Sequence, residues 1–219
     1  YIIIHETGHE WFANNITYKD IADMWVHEGF TTYSENLFVD YHFGKKASSE
    51  YVIGTRRGIS NKKPIIGQYD VNREGSGDMY SKGANLLHTI RQLTNNDELW
   101  RQTLRGLNEE FYHSTVTTKE IEEYISNSIK IDLSRVFDQY LRDYRIPVFE
   151  YEINNGVLSY RWNDVIEGFD MPIEVKIDGE TKLLQPTNKF QNLKIKNLYV
   201  NVDKDYYVYS KDLKVVVEN

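Results

Sequence analysis

Cysteine is absent from all 219 residues, which excludes disulfides and thiolate metal ligands while fitting several compartments. Long apolar runs are lacking too. The longest spans a few residues against the roughly 20 needed for a membrane-crossing helix, so no transmembrane segment is expected. No block of positive charge occurs either: 26 Lys and Arg stand against 33 Asp and Glu, for a net charge of −7. Arg56-Arg57 and Lys62-Lys63 are too short to follow a phosphate backbone, and nucleic acid is not an expected partner. No internal repeat or low-complexity segment stands out. A chain of this length can hold one or two domains with a real core.

What is present is concentrated near the start. His5-Glu6-Thr7-Gly8-His9 is followed, after a spacer of eighteen residues, by Glu28. On a helix, residues four apart share a face about 6 Å apart along the axis, so the imidazoles of His5 and His9 can converge on one cation. Glu6 sits one step round the helix, near enough to a metal-held water to take its proton without being a ligand. Zn²⁺ accepts two His nitrogens and one carboxylate and leaves a fourth position for water, whose pKa falls from about 15.7 towards about 7. Glu28 lies in a second helical stretch that can return antiparallel to the first, with Asn14-Asn15 and Asp20 supplying turn and cap chemistry between them.

Two neighbours of this set need separate treatment. His27 adjoins Glu28, and adjacent helical positions diverge by about 100°, so it is read as a hydrogen-bonded helix histidine rather than a ligand. Glu35, two turns beyond Glu28 on the same face, can orient His5 or His9 from behind the metal.

The pentad with Glu28, and the run Trp25-Val26-His27-Glu28-Gly29-Phe30, resemble the gluzincin zinc aminopeptidases, the group of aminopeptidase N and leukotriene hydrolase. Tyr80-Ser81-Lys82-Gly83-Ala84 extends the resemblance. It implies a zinc ion, one per chain, held by His5, His9 and Glu28, with Glu6 as general base and Tyr80 donating to the oxyanion. A neutral phenol with a single O–H suits that last task. The resemblance also implies a peptide substrate. The family's Gly-x-Met-Glu-Asn segment, which grips the substrate's amino group, has no counterpart here. The chain is therefore read as a C-terminal fragment opening at the zinc helix, whose partner is the N-terminal part of the same protein and which is inactive by itself. The same site can also serve an endopeptidase or another hydrolase. A non-catalytic scaffold whose zinc only joins two helices is a further alternative.

Along the chain, composition shifts near Pro147. Before it, helical periodicity covers residues 1–14, 21–43 and 47–59, then 78–93 after an irregular loop from Lys62 to Gly77. Asp97 is expected to cap the next helix, Thr117 with Glu120 forms a capping box for another, and Asp132 starts the last. After Pro147 the period changes to two. Strands are expected at Val148–Ile153, Val157–Trp162, Ile173–Ile177, Lys182–Leu184, Leu193–Ile195, Leu198–Val202, Tyr206–Tyr209 and Lys214–Val217. Asn154-Asn155-Gly156 and Asp178-Gly179 read as hairpin turns. The expected class is α+β: a mostly helical, thermolysin-like catalytic part over 1–146, then a small antiparallel β-sandwich over 147–219. The 17 tyrosines fit packing better than ligand platforms.

Overall fold

A computed structural model of the chain describes residues 1–196 and 199–214. Its first two-thirds are helical: α1 (Ile2–Gly8), α2 (Trp25–Phe43), α3 (Lys45–Thr55), α4 (Ser81–Thr94), α5 (Asp97–Glu110), α6 (Thr118–Ile129) and α7 (Ser134–Phe137). Strands β3 to β9 then run from Val148–Asn154 to Tyr209–Asp212, so the architecture is α+β.

α2 is the central helix. Trp25, Val26, Phe30 and Tyr33 on it are at most 1 % exposed, because α1, α3 and α4 all pack around it. Phe12 stacks on Phe30, and the Trp100 indole donates to the Tyr33 hydroxyl at 3.0 Å, which ties α5 to the same core. Thr117 and Glu120 form the expected reciprocal capping box at α6. At α5 the cap is instead Asn96, whose side chain accepts from Leu99 N–H. Asp97 is the first helical residue, and its carboxylate is drawn away to Arg91 and Lys45. The helix placed after Asp132 is a single α turn, Ser134–Phe137, that widens into a π turn over Asp138–Arg142.

α1 is shorter than the expected 1–14. It ends at Gly8, and turns carry the chain to β1 (Ile16–Tyr18), which pairs in parallel with β2 (Ser114–Val116). The cause lies about a hundred residues away. Asn15 accepts from His113 N–H and donates to Asn108, and its carbonyl accepts from Ser114 N–H, so the backbone is pulled out of the helix into a strand pair.

The β region forms two sheets. One has order β7-β4-β3-β9, with β7 at Gln191–Lys194 and β4 at Val157–Asn163. The other has order β6-β5-β8, with β6 at Glu180–Leu184, β5 at Ile173–Ile177 and β8 at Val200–Val202. The expected hairpins join β3 to β4 and β5 to β6, with Asn155 and Asp178 at positive φ. Phe149, Leu158, Trp162, Ile173, Val175 and Ile177 alternate inward and share one buried cluster with the helices. The sheets are not wholly antiparallel: β9 lies parallel to β3, Val148 opposite Tyr209. The chain reaches β9 from the helical core rather than from a hairpin. Tyr206 and Tyr207, expected in a strand, are 1 % exposed, and Tyr207 N–H donates to Thr89 Oγ1 on α4. Leu198 and Val215–Val217 of the expected strands lie outside the described residues.

Candidate metal centre

α1 and α2 cross at Gly8. A Cβ built there would lie 3.0 Å from Thr31 Cγ2 and 3.5 Å from Ser34 Cβ, so a larger residue would push the two helices apart. That closeness sets His5 and His9 against Glu28. Glu28 Oε2 lies 3.2 Å from His5 Nε2 and 3.6 Å from His9 Nε2. One donor atom from each of the three falls within 4.8 Å of the other two. Among the described residues this is the single group of three or more such side chains, and it holds no fourth His, Cys, Asp or Glu.

Hydrogen bonds behind the imidazoles assign their tautomers. His5 Nδ1 is 2.9 Å from Glu35 Oε1, an acceptor, so Nδ1 carries the proton. His9 Nδ1 is 3.1 Å from the Phe12 carbonyl and 3.2 Å from Thr31 Oγ1, with the same consequence. Both Nε2 lone pairs then face the Glu28 carboxylate. Lone pairs and a negative charge at 3.2 and 3.6 Å repel unless a proton or a metal cation lies between them, and a metal cation is the group that can engage all three donors at once. Bonds of about 2.0–2.2 Å in a tetrahedron put ligands roughly 3.3–3.5 Å apart, so the donor types suit Zn²⁺ and the two separations from Glu28 lie close to that spacing.

Glu6 and Tyr80 lie outside this set of donors. Glu6 is on the exposed face of α1. Tyr80 sits at the start of α4, 41 % exposed, its ring stacked 6.0 Å from that of His5. Partial burial and the neighbouring Glu28 carboxylate hold its phenol above the usual range, so it is a neutral O–H donor near pH 7. Its approach depends on a second close crossing, where a Cβ on Gly83 of α4 would come within 3.0 Å of Gly29 Cα on α2.

His27 points elsewhere. Its Nε2 accepts from Tyr18 N–H at 2.9 Å, and burial, with His9 nearby, pushes its pKa down to about 4. It is a neutral histidine holding β1 to α2. Glu35, for which helix spacing left His5 or His9 open, bonds to His5. Tyr51 of α3, which sequence reasoning missed, donates to the other oxygen of Glu35. A hollow of about 1150 Å³ opens elsewhere, lined by Trp11, Leu37, Tyr41, Trp100 and Tyr112 but by none of the metal-site residues. Donor chemistry, not concavity, therefore marks this centre.

An α+β scaffold presenting two imidazoles and one carboxylate to a common point carries the donor set of the metalloenzyme class. The particular family follows from comparison: the Peptidase family M1 domain matches residues 1–140, and the chain belongs to that family. It is 25 % identical over 142 residues to leukotriene A-4 hydrolase of Xenopus laevis, covering 59 % of this chain and 23 % of the relative. Against mitochondrial aminopeptidase 2 of Saccharomyces cerevisiae it is 26 % identical over 211 residues, covering 90 % of this chain and 21 % of the relative. The chain thus spans less than a quarter of these relatives' length. In fold it is similar to Legionella pneumophila aminopeptidase A, solved in complex with aspartic acid, with a TM-score of 0.69 at 18 % identity. That match covers 96 % of this chain and 26 % of the other.

Proposed function

We propose that this chain carries the zinc site of a metallopeptidase of the aminopeptidase type, which removes N-terminal residues from peptides. The observation that carries the proposal is the convergence of His5, His9 and Glu28, with Tyr80 packed beside them. A set of three donors also favours a catalytic over a structural zinc, which closes its shell with four protein ligands. When bound, zinc supplies Lewis acidity at the scissile carbonyl and makes a water acidic enough to react near neutral pH. Glu6 takes that water's proton on its carboxylate and passes it to the leaving amine. Tyr80 donates its O–H to the oxygen on which negative charge develops. The aminopeptidase assignment rests on the family and on relatives bearing that name.

The test is Glu6→Gln in the polypeptide that carries this chain. Zinc content should stay at one per chain while turnover of an aminoacyl substrate falls by roughly 10²–10⁴-fold or more. Near-normal turnover would remove Glu6 from the mechanism. Cleavage of an N-acetylated peptide as fast as of the free amine would replace the aminopeptidase reading with an endopeptidase one.

A further inference from the structure

The two imidazoles of the metal centre are held in unlike ways. His9 donates to a main-chain carbonyl and a threonine hydroxyl, both neutral. His5 donates to a carboxylate, Glu35, at 2.9 Å. Glu35 is 9 % exposed, and such a carboxylate needs partners for its remaining lone pairs. Tyr51 supplies one, its phenol donating to Glu35 Oε2, and the ring is in turn stacked on Tyr1 at 4.7 Å. Three elements thus meet behind one metal donor: Tyr1 and His5 from the α1 segment, Glu35 from α2 and Tyr51 from α3. Neither Glu35 nor Tyr51 belongs to the group of donor atoms that can reach the metal.

We propose that Tyr51 and Glu35 act as a two-step hydrogen-bond relay that positions His5 for zinc, fixing its Nδ1–H tautomer and ring orientation from α3. This rests on the reading of His5, His9 and Glu28 as zinc ligands. Both are positioning residues. Glu35 does two things that a neutral acceptor does less well: it biases the proton to Nδ1, and its charge makes Nε2 a stronger donor to a cation. Tyr51 acts one bond further out. By occupying Oε2 it keeps Oε1 aimed at His5, since a carboxylate free to rotate would exchange its two oxygens. Tyr51 is the tie between α3 and the metal site, and a change in how α3 packs on α2 reaches the metal by this route. His9, anchored on Phe12 and Thr31, is outside the relay.

The experiment measures zinc affinity of the chain by competition with a chromophoric chelator, for wild type, Glu35→Gln, Tyr51→Phe, the double variant and His5→Ala. It is accompanied by ¹⁵N NMR of the two imidazoles in the metal-free chain. Glu35→Gln keeps the shape and an acceptor but loses the charge, and is expected to weaken zinc by roughly 10–100-fold. Tyr51→Phe is expected to weaken it by about threefold or more, and the double variant to be no worse than Glu35→Gln alone, because Tyr51 acts through Glu35. The Nδ1–H preference of His5 should fall in Tyr51→Phe while that of His9 is unchanged, a selectivity that general loosening of the fold would not produce. His5→Ala separates the two levels of the reading. If it binds zinc as well as wild type, the metal site itself is misassigned. If it loses zinc while Glu35→Gln and Tyr51→Phe retain wild-type affinity, or if their losses simply add, the relay is overturned and the metal site stands.

Discussion

Replacing Gly8 by Ala tests whether the approach of α1 to α2 is what assembles the metal centre. The new Cβ would sit 3.0 Å from Thr31 Cγ2 and 3.5 Å from Ser34 Cβ. Carbon atoms pack comfortably at about 3.5–4.0 Å, so something must yield by a few tenths of an ångström. Thr31 cannot yield cheaply. It is fully buried, β-branched and hydrogen-bonded through Oγ1 to His9 Nδ1 at 3.2 Å, so turning it away leaves the His9 ring held by the Phe12 carbonyl alone. The alternative is for α1 to lift off α2, which widens the 3.2 and 3.6 Å separations between Glu28 and the two histidines. Both routes damage the site. Stability should change by a similar, modest amount, because overpacking costs about 1–3 kcal/mol while Gly→Ala in a helix returns up to about 1 kcal/mol. For a chain of this size that lowers the metal-free Tm by no more than roughly 5–8 °C. Zinc affinity, by competition titration, should fall about tenfold or more. Gly54→Ala is the control: nothing lies within 4 Å of its Cβ, so it should raise Tm by roughly 2–4 °C and leave zinc binding alone. If Gly8→Ala binds zinc as wild type does, the close crossing is incidental.

Three further outcomes are expected. Tyr80→Phe, in the polypeptide that carries this chain, should lower kcat by roughly 10²–10³-fold with KM little changed; a loss confined to KM would make Tyr80 a binding residue and not an oxyanion donor. Saturating zinc, at about 1,000 times its Kd, should add about 4 kcal/mol of stability, a Tm rise of roughly 10 °C that a chelator reverses and that His9→Ala abolishes. Lys82 is fully buried against the carbonyls of Asp143 and Tyr144, and burial pushes its pKa down from 10.5 to about 8. Between those values the unfolded chain binds the extra proton. Stability should therefore rise with pH from about 8 to 10, by roughly 1–2 kcal/mol in urea titrations, and the rise should be missing in Lys82→Met.

The pairing of His5 with His9 on one face was legible because its geometry is local. A spacing of four on a helix places His5 and His9 on one face whatever the rest of the chain does, and even the early end of α1 leaves this intact, since His9 keeps helical dihedrals as the C-cap. What brings Glu28 to them is the small side at Gly8, and what brings Tyr80 is the contact of Gly29 with Gly83. Those glycines are visible as letters, but their partners are not, because a helix crossing is a property of two surfaces. Tyr51 left no signal at all. Its reach to Glu35 depends on how α3 turns back on α2 after Gly44, whose φ of +84° ends one helix and begins the next.

The β region shows the limit of periodicity in another way. Alternation over Val157–Asn163 and Ile173–Ile177 placed those strands closely, because a period of two reports which side chains are covered. It does not report what covers them. Tyr206 and Tyr207 are part of a segment that reads as a strand, yet the Tyr207 carbonyl accepts from Tyr140, its N–H donates to Thr89, and its hydroxyl accepts from Asn61, all partners in the helical region. Asp205 joins them, bonded to His88 of α4 and Ser49 of α3. The chain therefore leaves β8 in one sheet, packs against the helical core and enters the other sheet at Tyr209 from the side of α4. A return by that path arrives in the same direction as β3, and β9 pairs parallel to it. Strand direction here is decided by where the intervening residues find their hydrogen-bond partners, information carried by Thr89, Tyr140 and His88 and not by the strand itself.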